Sequence, residues 1–170
     1  MTGLKLEIVQ DAPFFSEEEE AFLNLLRTAD RLQRAFHRRI RGWGITSTQY
    51  NVLRILRGAQ PRGLTCSTIG SRMITADPDI TRLLARLKVL KLIQQQCDSQ
   101  DRRVVWTQIS EVGLQLLREM DPVIQIVPGD LLKNLNGAEV AELIRLLELA
   151  RRSSEEFPEP AIGGDALESR

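Results

Sequence analysis

A chain of 170 residues with 42% hydrophobic content can build one domain with its own core, alone or with an added assembly element, and has no need of a disulfide scaffold. Its 23 Lys and Arg balance 23 Asp and Glu, and its single histidine and two distant cysteines, with no C-x-x-C, argue against a zinc knuckle or disulfide framework. No apolar run approaches the roughly 20 residues of a membrane span, and no basic stretch followed by an apolar core opens the chain, so a cytoplasmic protein with no membrane partner is expected.

The zero net charge hides an uneven distribution. Residues 62–103 hold eight Lys/Arg against four acids and contain no Glu, whereas 104–170 hold six against twelve. A basic middle with an acidic end suits a nucleic-acid reader that carries a separate assembly region. Low aromatic content (5%) and stretches rich in Leu, Arg, Glu and Ala favour a mainly helical protein.

Residues 1–15 carry apolar residues without a period and fit either an arm that packs on a partner or an unordered segment. Ser16 and Glu19 form a capping box, and Phe22, Leu25, Ala29, Leu32, Phe36 and Ile40 predict one buried stripe on a helix over 16–41, ended by Gly42-Trp43-Gly44. Arg27, Arg31, Arg34 and Arg38 line its other face, either toward DNA or as a solvated stripe. A second box, Thr46 and Gln49, opens a short helix with Val52, Leu53 and Leu56 inward, stopping near Gly58. Thr65 caps a third helix, ending around Ile74, in which Gly70 costs about 1 kcal/mol relative to Ala unless it permits close helix contact. Asp77-Pro78 predicts the start of a fourth helix running to about Leu90, with Ile80, Leu83, Leu84, Leu87 and Leu90 buried and Asp79, Arg82 and Arg86 on one exposed stripe.

Between Leu92 and Ile109 the period falls to about two around a polar turn, Asp98-Ser99-Gln100-Asp101, which predicts a β-hairpin. Ser110 caps a fifth helix that Pro122 kinks and Pro128-Gly129 ends; Asn136 and Glu139 open a sixth, with Val140, Leu143, Leu147 and Ala150 on one face. The Pro-, Gly- and acid-rich residues 157–170 predict a loose tail.

Two short helices, a capped helix with an exposed basic stripe and then a basic hairpin follow the order of a winged helix-turn-helix, here spanning 46–110. In such a fold the recognition helix enters the major groove, where Arg contacts guanine and Asp accepts from cytosine, while hydroxyls and further Arg hold phosphates. Asp79, Thr81, Arg82 and Arg86 are of these types.

From about Phe22 to Arg152 the chain resembles the MarR-type regulators (multiple antibiotic resistance regulator family). Asp79-Ile80-Thr81-Arg82-Leu83-Leu84-Ala85-Arg86-Leu87 is similar to the family's recognition helix, Asp98-Ser99-Gln100-Asp101-Arg102-Arg103 to its wing signature, and Ser110-Glu111-Val112-Gly113 to the helix start after the wing. The resemblance implies a ligand-responsive repressor that binds double-stranded DNA as a homodimer on a pseudo-palindromic site. It implies dimerisation through helices in 16–41 and 111–156, with Arg102 and Arg103 on the wing, Arg103 entering the minor groove and Asp101 pairing with it to aim the guanidinium. It also implies a small, often aromatic or phenolic effector between the dimer region and the DNA-binding lobes. The sequence departs from the family at Lys91, where Gly is usual, and at Ser99, where Pro is common.

Phe36, Trp43 and Tyr50 are the aromatic candidates for a ligand pocket, and Trp43 and Trp106 are equally explained as packing residues. His37 has no second ligand at metal spacing, and Cys97, the more exposed thiol by position, has no evident basic pocket or resolving partner. No catalytic constellation, metal site or cofactor motif is expected. A helical protein-interaction module that keeps this architecture without reading DNA fits the same residues, and substituting Arg82 and Arg103 separates the two readings.

Overall fold

The computed structural model describes residues 3–76 and 79–155. The elements are α1 (Leu4–Ile8), α2 (Glu17–Ile40), a single 3₁₀ turn (Arg41–Trp43), α3 (Ser47–Arg57), α4 (Cys66–Ser71), α5 (Ile80–Val89), β1 (Ile93–Cys97), β2 (Val105–Ile109), α6 (Glu111–Leu131) and α7 (Gly137–Glu155). They fall into two compact units, Met1–Leu131 and Leu132–Arg170.

Capping chemistry sets most helix starts. The Thr46 hydroxyl accepts from the Gln49 N–H while the Gln49 side chain accepts from the Thr46 N–H, a reciprocal box that satisfies two of the free donors of α3. Asn136 and Glu139 do the same for α7. Ser16 accepts from the Glu19 N–H, but the Glu19 carboxylate reaches one residue further back, to the Phe15 N–H at 2.6 Å. The expected start at Asp77-Pro78 lies outside the described residues; α5 begins at Ile80 with Asp79 as its cap.

The core of the first unit is built by α3, α4, α5, the hairpin and α6. Val52, Leu53, Leu56, Ile69, Leu87 and Leu117 are fully buried, each worth about 1.5–3 kcal/mol of burial. In the antiparallel hairpin Ile93 faces Ile109, Gln95 faces Thr107 and Gln96 faces Trp106. Leu64 adds a third, one-residue rung through a pair of backbone bonds to Thr107, 2.9 and 2.8 Å. The alternation follows: Thr107 and Ile109 are buried on the core side, and Trp106 and Gln108 lie on the other face.

Several expectations are corrected. Along α2 only Ile40 is buried; Leu32 and Phe36 are half-buried, and Phe22, Leu25 and Ala29 are exposed, because one chain supplies no surface to cover the N-terminal half of that stripe. Leu90 is 47% exposed, since the helix stops at Val89 and the turn carries Leu90 off the buried face. α4 ends at Ser71 rather than near Ile74, and a Cβ on Gly70 would meet nothing within 4 Å, so no close packing explains that glycine. Pro128-Gly129 does not end α6, which runs through both prolines to Leu131. An interior proline costs about 3 kcal/mol, and burial of Leu117, Met120 and Val127 along the same helix offsets it. The tail at 157–170 lies outside the described residues.

The base of the hairpin is clamped to α6. Ser110 accepts from the Gly113 N–H at 3.0 Å, capping α6, and its own N–H donates to the Leu92 carbonyl at 3.0 Å. Gly113 sits so close that a Cβ there would stand 2.3 Å from the Leu92 oxygen and 2.8 Å from Ile109 Cγ1. We expect Gly113→Ala to cost about 1–3 kcal/mol by overpacking, measured by chemical denaturation; an unchanged midpoint would show that α6 is not held against the hairpin base.

Candidate nucleic-acid interface

Leu83, Leu84 and Leu87 bury one side of α5 and leave Thr81, Arg82 and Arg86 exposed on the other. Among the described residues no carboxylate pairs with either arginine. Asp79 is exposed as well and stands at the N-cap, where its Oδ1 accepts from the Arg82 N–H at 3.0 Å. A carboxylate at the positive end of a helix is favourable, so this oxygen serves α5 itself. The Thr81 hydroxyl lies 4.0 Å from Cys66 Sγ in the first turn of α4.

The wing tip is organised by two aspartates. Asp98 Oδ1 accepts from the N–H groups of Gln100 and Asp101, 2.8 and 3.1 Å, and its Oδ2 accepts from the Trp106 indole at 2.8 Å. These three donors, the indole first, hold the Asp98 carboxyl below the usual carboxylate range. Asp101 Oδ1 accepts from the Arg103 backbone N–H at 2.9 Å. The expected pairing of Asp101 with the Arg103 guanidinium is therefore replaced by a backbone contact, and both Arg102 and Arg103 are exposed without an ion pair among the described residues.

Between α5 and β1 the chain turns through Lys91 at φ 59°. The Lys91 N–H bonds the Lys88 carbonyl at 2.9 Å and the Leu92 N–H bonds the Leu87 carbonyl at 3.0 Å, the paired bonds of a Schellman turn. The Ser110 hydroxyl donates to the Lys91 carbonyl at 2.6 Å. Ser110 was legible as a helix cap; its second bond, across 19 residues, had no local signal.

The aromatic candidates separate. Phe36 and Tyr50 pack on each other, ring centroids 5.7 Å apart at 57°, and Tyr50 is buried enough that its hydroxyl pKa is raised. Trp43 lines an open cavity of about 610 Å³ with Ile45, Leu90, Leu92, Val112 and Leu116. A further tie, invisible in the sequence, is the ion pair of Arg57 on α3 with Asp121 on α6, in which Nη1 donates to both carboxylate oxygens, 3.0 and 2.8 Å.

No family model matches the chain. The chain is similar to a MarR transcription factor from Planctomyces limnophilus, whose crystal structure it matches with a TM-score of 0.62 and 36% identity over 81% of this chain and 99% of that one. The chain belongs to the MarR family. Its relatives include IacR, an HTH-type transcriptional repressor of Pseudomonas putida, 28% identical over 135 residues that cover 79% of this chain and 80% of IacR. BpsR of Bordetella bronchiseptica, whose structure addresses the regulation of its DNA binding by 6-hydroxynicotinic acid, is 26% identical with a TM-score of 0.70 over 78% of this chain and 99% of BpsR. The described residues of this MarR-family regulator carry the helices and two-stranded hairpin of a winged-helix fold, and no helix among them is long and apolar enough to cross a membrane.

The usual MarR glycine at the exit of the recognition helix is Lys91 here, yet the left-handed turn is retained. A non-glycine residue in that conformation costs roughly 1–2 kcal/mol, less what glycine loses by its freer unfolded state. We expect Lys91→Gly to raise stability by about 1 kcal/mol in denaturant titration; a fall would mean that the lysine side chain contributes more to this turn than its backbone strain costs.

Proposed function

We propose that this regulator binds double-stranded DNA in the cytoplasm as a homodimer and acts as a ligand-responsive repressor on a pseudo-palindromic operator. The observation that carries the reading is the placement of four exposed arginines, Arg82 and Arg86 on α5 and Arg102 and Arg103 on the wing, none of them in an ion pair among the described residues, in a chain whose net charge is zero. Cations left unpaired on a recognition helix and a wing suit phosphates and guanine edges. Arg103 at the tip suits a narrow minor groove, where the negative potential is strongest. Asp79 and Asp101 act by orienting α5 and the wing tip, and Thr81 and Arg102 by holding phosphates.

Dimerisation is supported by apolar residues that one chain leaves in water: Phe22 (59% exposed) and Leu26 (51%) on α2, and Ile144 (53%) and Leu146 (48%) on α7. Two recognition helices related by a two-fold axis would meet major grooves about 10 base pairs apart. The Trp43 cavity, mostly apolar and lying between the end of α5 and the start of α6, suits a small aromatic or phenolic effector. Such a ligand shifts DNA affinity only by its differential affinity for two spacings of the recognition helices. The names of IacR and BpsR agree with repression and with control by a small aromatic acid.

The test is binding of the purified protein to the duplex upstream of its own coding region, against scrambled duplex, over a salt series. Specific binding is expected, with log K falling linearly as log salt rises and the slope smaller by about one for Arg103→Ala. Equal weak binding to both duplexes, or none at low salt, would contradict this and favour a protein-interaction module.

A further inference from the structure

We propose that Trp106 is a positioning residue of the wing: its indole N–H holds Asp98, Asp98 gathers the backbone of the tip, and the tip so formed presents Arg102 and Arg103 to DNA. The inference rests on the DNA-binding reading above and adds a residue that no base or phosphate needs to touch.

Trp106 lies on β2 opposite Gln96, one pair from the end of the ladder that the wing-tip turn closes, and on the face turned away from the core. It is half-buried and stands outside the hydrophobic cluster that Ile109 and Ile93 join from the other face. Packing of the core therefore does not account for an indole at this place. Its polar atom does have a defined use, the 2.8 Å bond to Asp98 Oδ2.

That bond decides where the carboxylate points. With Oδ2 fixed by the indole, Oδ1 faces the Gln100 and Asp101 N–H groups and closes the turn. The Asp98 N–H donates to the Val104 carbonyl, and the Val104 N–H to the Asp101 carbonyl, both at 2.9 Å. Asp101 in turn holds the Arg103 N–H. The carboxylate oxygens of Asp98 and Asp101 in these contacts accept from backbone or indole donors and none from a guanidinium. Two consequences follow from the same geometry: the tip has a fixed shape without a proline at Ser99, and its two cations keep their charge available to a polyanion. Hydrogen bonds to an ionised acceptor are roughly twice as strong as neutral ones, so the single indole donor holds the tip more firmly than a neutral pair would.

Trp106→Phe keeps an aromatic ring on the strand and deletes only the donor. In the full chain without DNA, the amide hydrogens of Gln100 and Asp101 are expected to exchange at least tenfold faster, while the core amides of α3 and α5 keep wild-type protection. On the upstream duplex, affinity is expected to fall roughly tenfold with the salt slope unchanged, because no charge has been removed. Arg103→Ala serves as the contrast, since it lowers the slope. Asp98→Asn, which leaves the indole in place but takes away the ionised acceptor, is expected to reproduce the faster exchange of the Gln100 and Asp101 amides and keeps the test open if Trp106→Phe folds poorly; it is read by exchange alone, because it also removes a negative charge from the tip.

Wild-type exchange at the tip in both variants, together with wild-type affinity in Trp106→Phe, would overturn the proposal. So would a loss of affinity accompanied by a smaller salt slope, which would make Trp106 part of a charge contact. Failure of the wild-type protein to bind any duplex, with the tip still loosened in Trp106→Phe, would overturn the DNA reading and with it the role of the wing, and would do so distinguishably, because the exchange measurement needs no DNA.

Discussion

The joint at Lys91 and Leu92 is the constraint on which the rest of the DNA-binding unit depends. Between Val89 and Ile93 the chain ends α5, reverses through a left-handed turn, begins β1 and receives both bonds from Ser110, one to the Lys91 carbonyl and one to the Leu92 carbonyl. Gly113 closes the same point from α6, in a gap with no room for a Cβ. Helix, hairpin and α6 are thereby held to one another by backbone and hydroxyl groups that are nearly immobile, whereas a contact through long side chains would leave the wing free to swing. The strain at Lys91 survives because its neighbours over-determine the turn. The Arg57–Asp121 pair adds a second tie from α3 to α6, so movement of α6 on the proposed effector mechanism would carry helix and wing together.

The charge distribution acquires meaning only against this frame. A chain with balanced charge can bind a polyanion if the carboxylates around its cations are engaged elsewhere, and four aspartates here are. Asp79 caps α5, Asp98 and Asp101 close the wing tip, and Asp121 holds Arg57. By contrast, several arginines of α2 lie in local ion pairs, Arg31 with Glu7 and Arg34 with Asp30. The stripe that looked most basic in the sequence is therefore partly neutralised, and the shorter α5 and the wing tip keep theirs. Electrostatics at this site is decided by which acids are already engaged, with net charge a poor guide.

Elements whose causes are local were legible in the sequence. The Thr46–Gln49 and Asn136–Glu139 boxes, the stop at Gly58 and the hairpin around Asp98 all follow from residues within a few positions of one another. What was not legible depended on residues far apart in the chain. No local signal pairs Ser110 with Lys91, Arg57 with Asp121 or Trp106 with Asp98. The α2 stripe was read as buried from its period alone, but a period shows only that one face is apolar, and says nothing about which molecule covers it. The expected start at Asp77-Pro78 falls outside the described residues, and Asp79 is the cap of α5 as described.

On the proposed function, α5 and the wing, fixed to one another, read DNA in two symmetric copies. Hydroxyl-radical footprinting of the protein on the duplex upstream of its own coding region addresses it directly. Two protected segments related by a dyad are predicted, their centres about 10 base pairs apart, each flanked by protection across the adjacent minor groove where a wing would lie. Uniform or absent protection, or a single protected segment with no dyad mate, would contradict it.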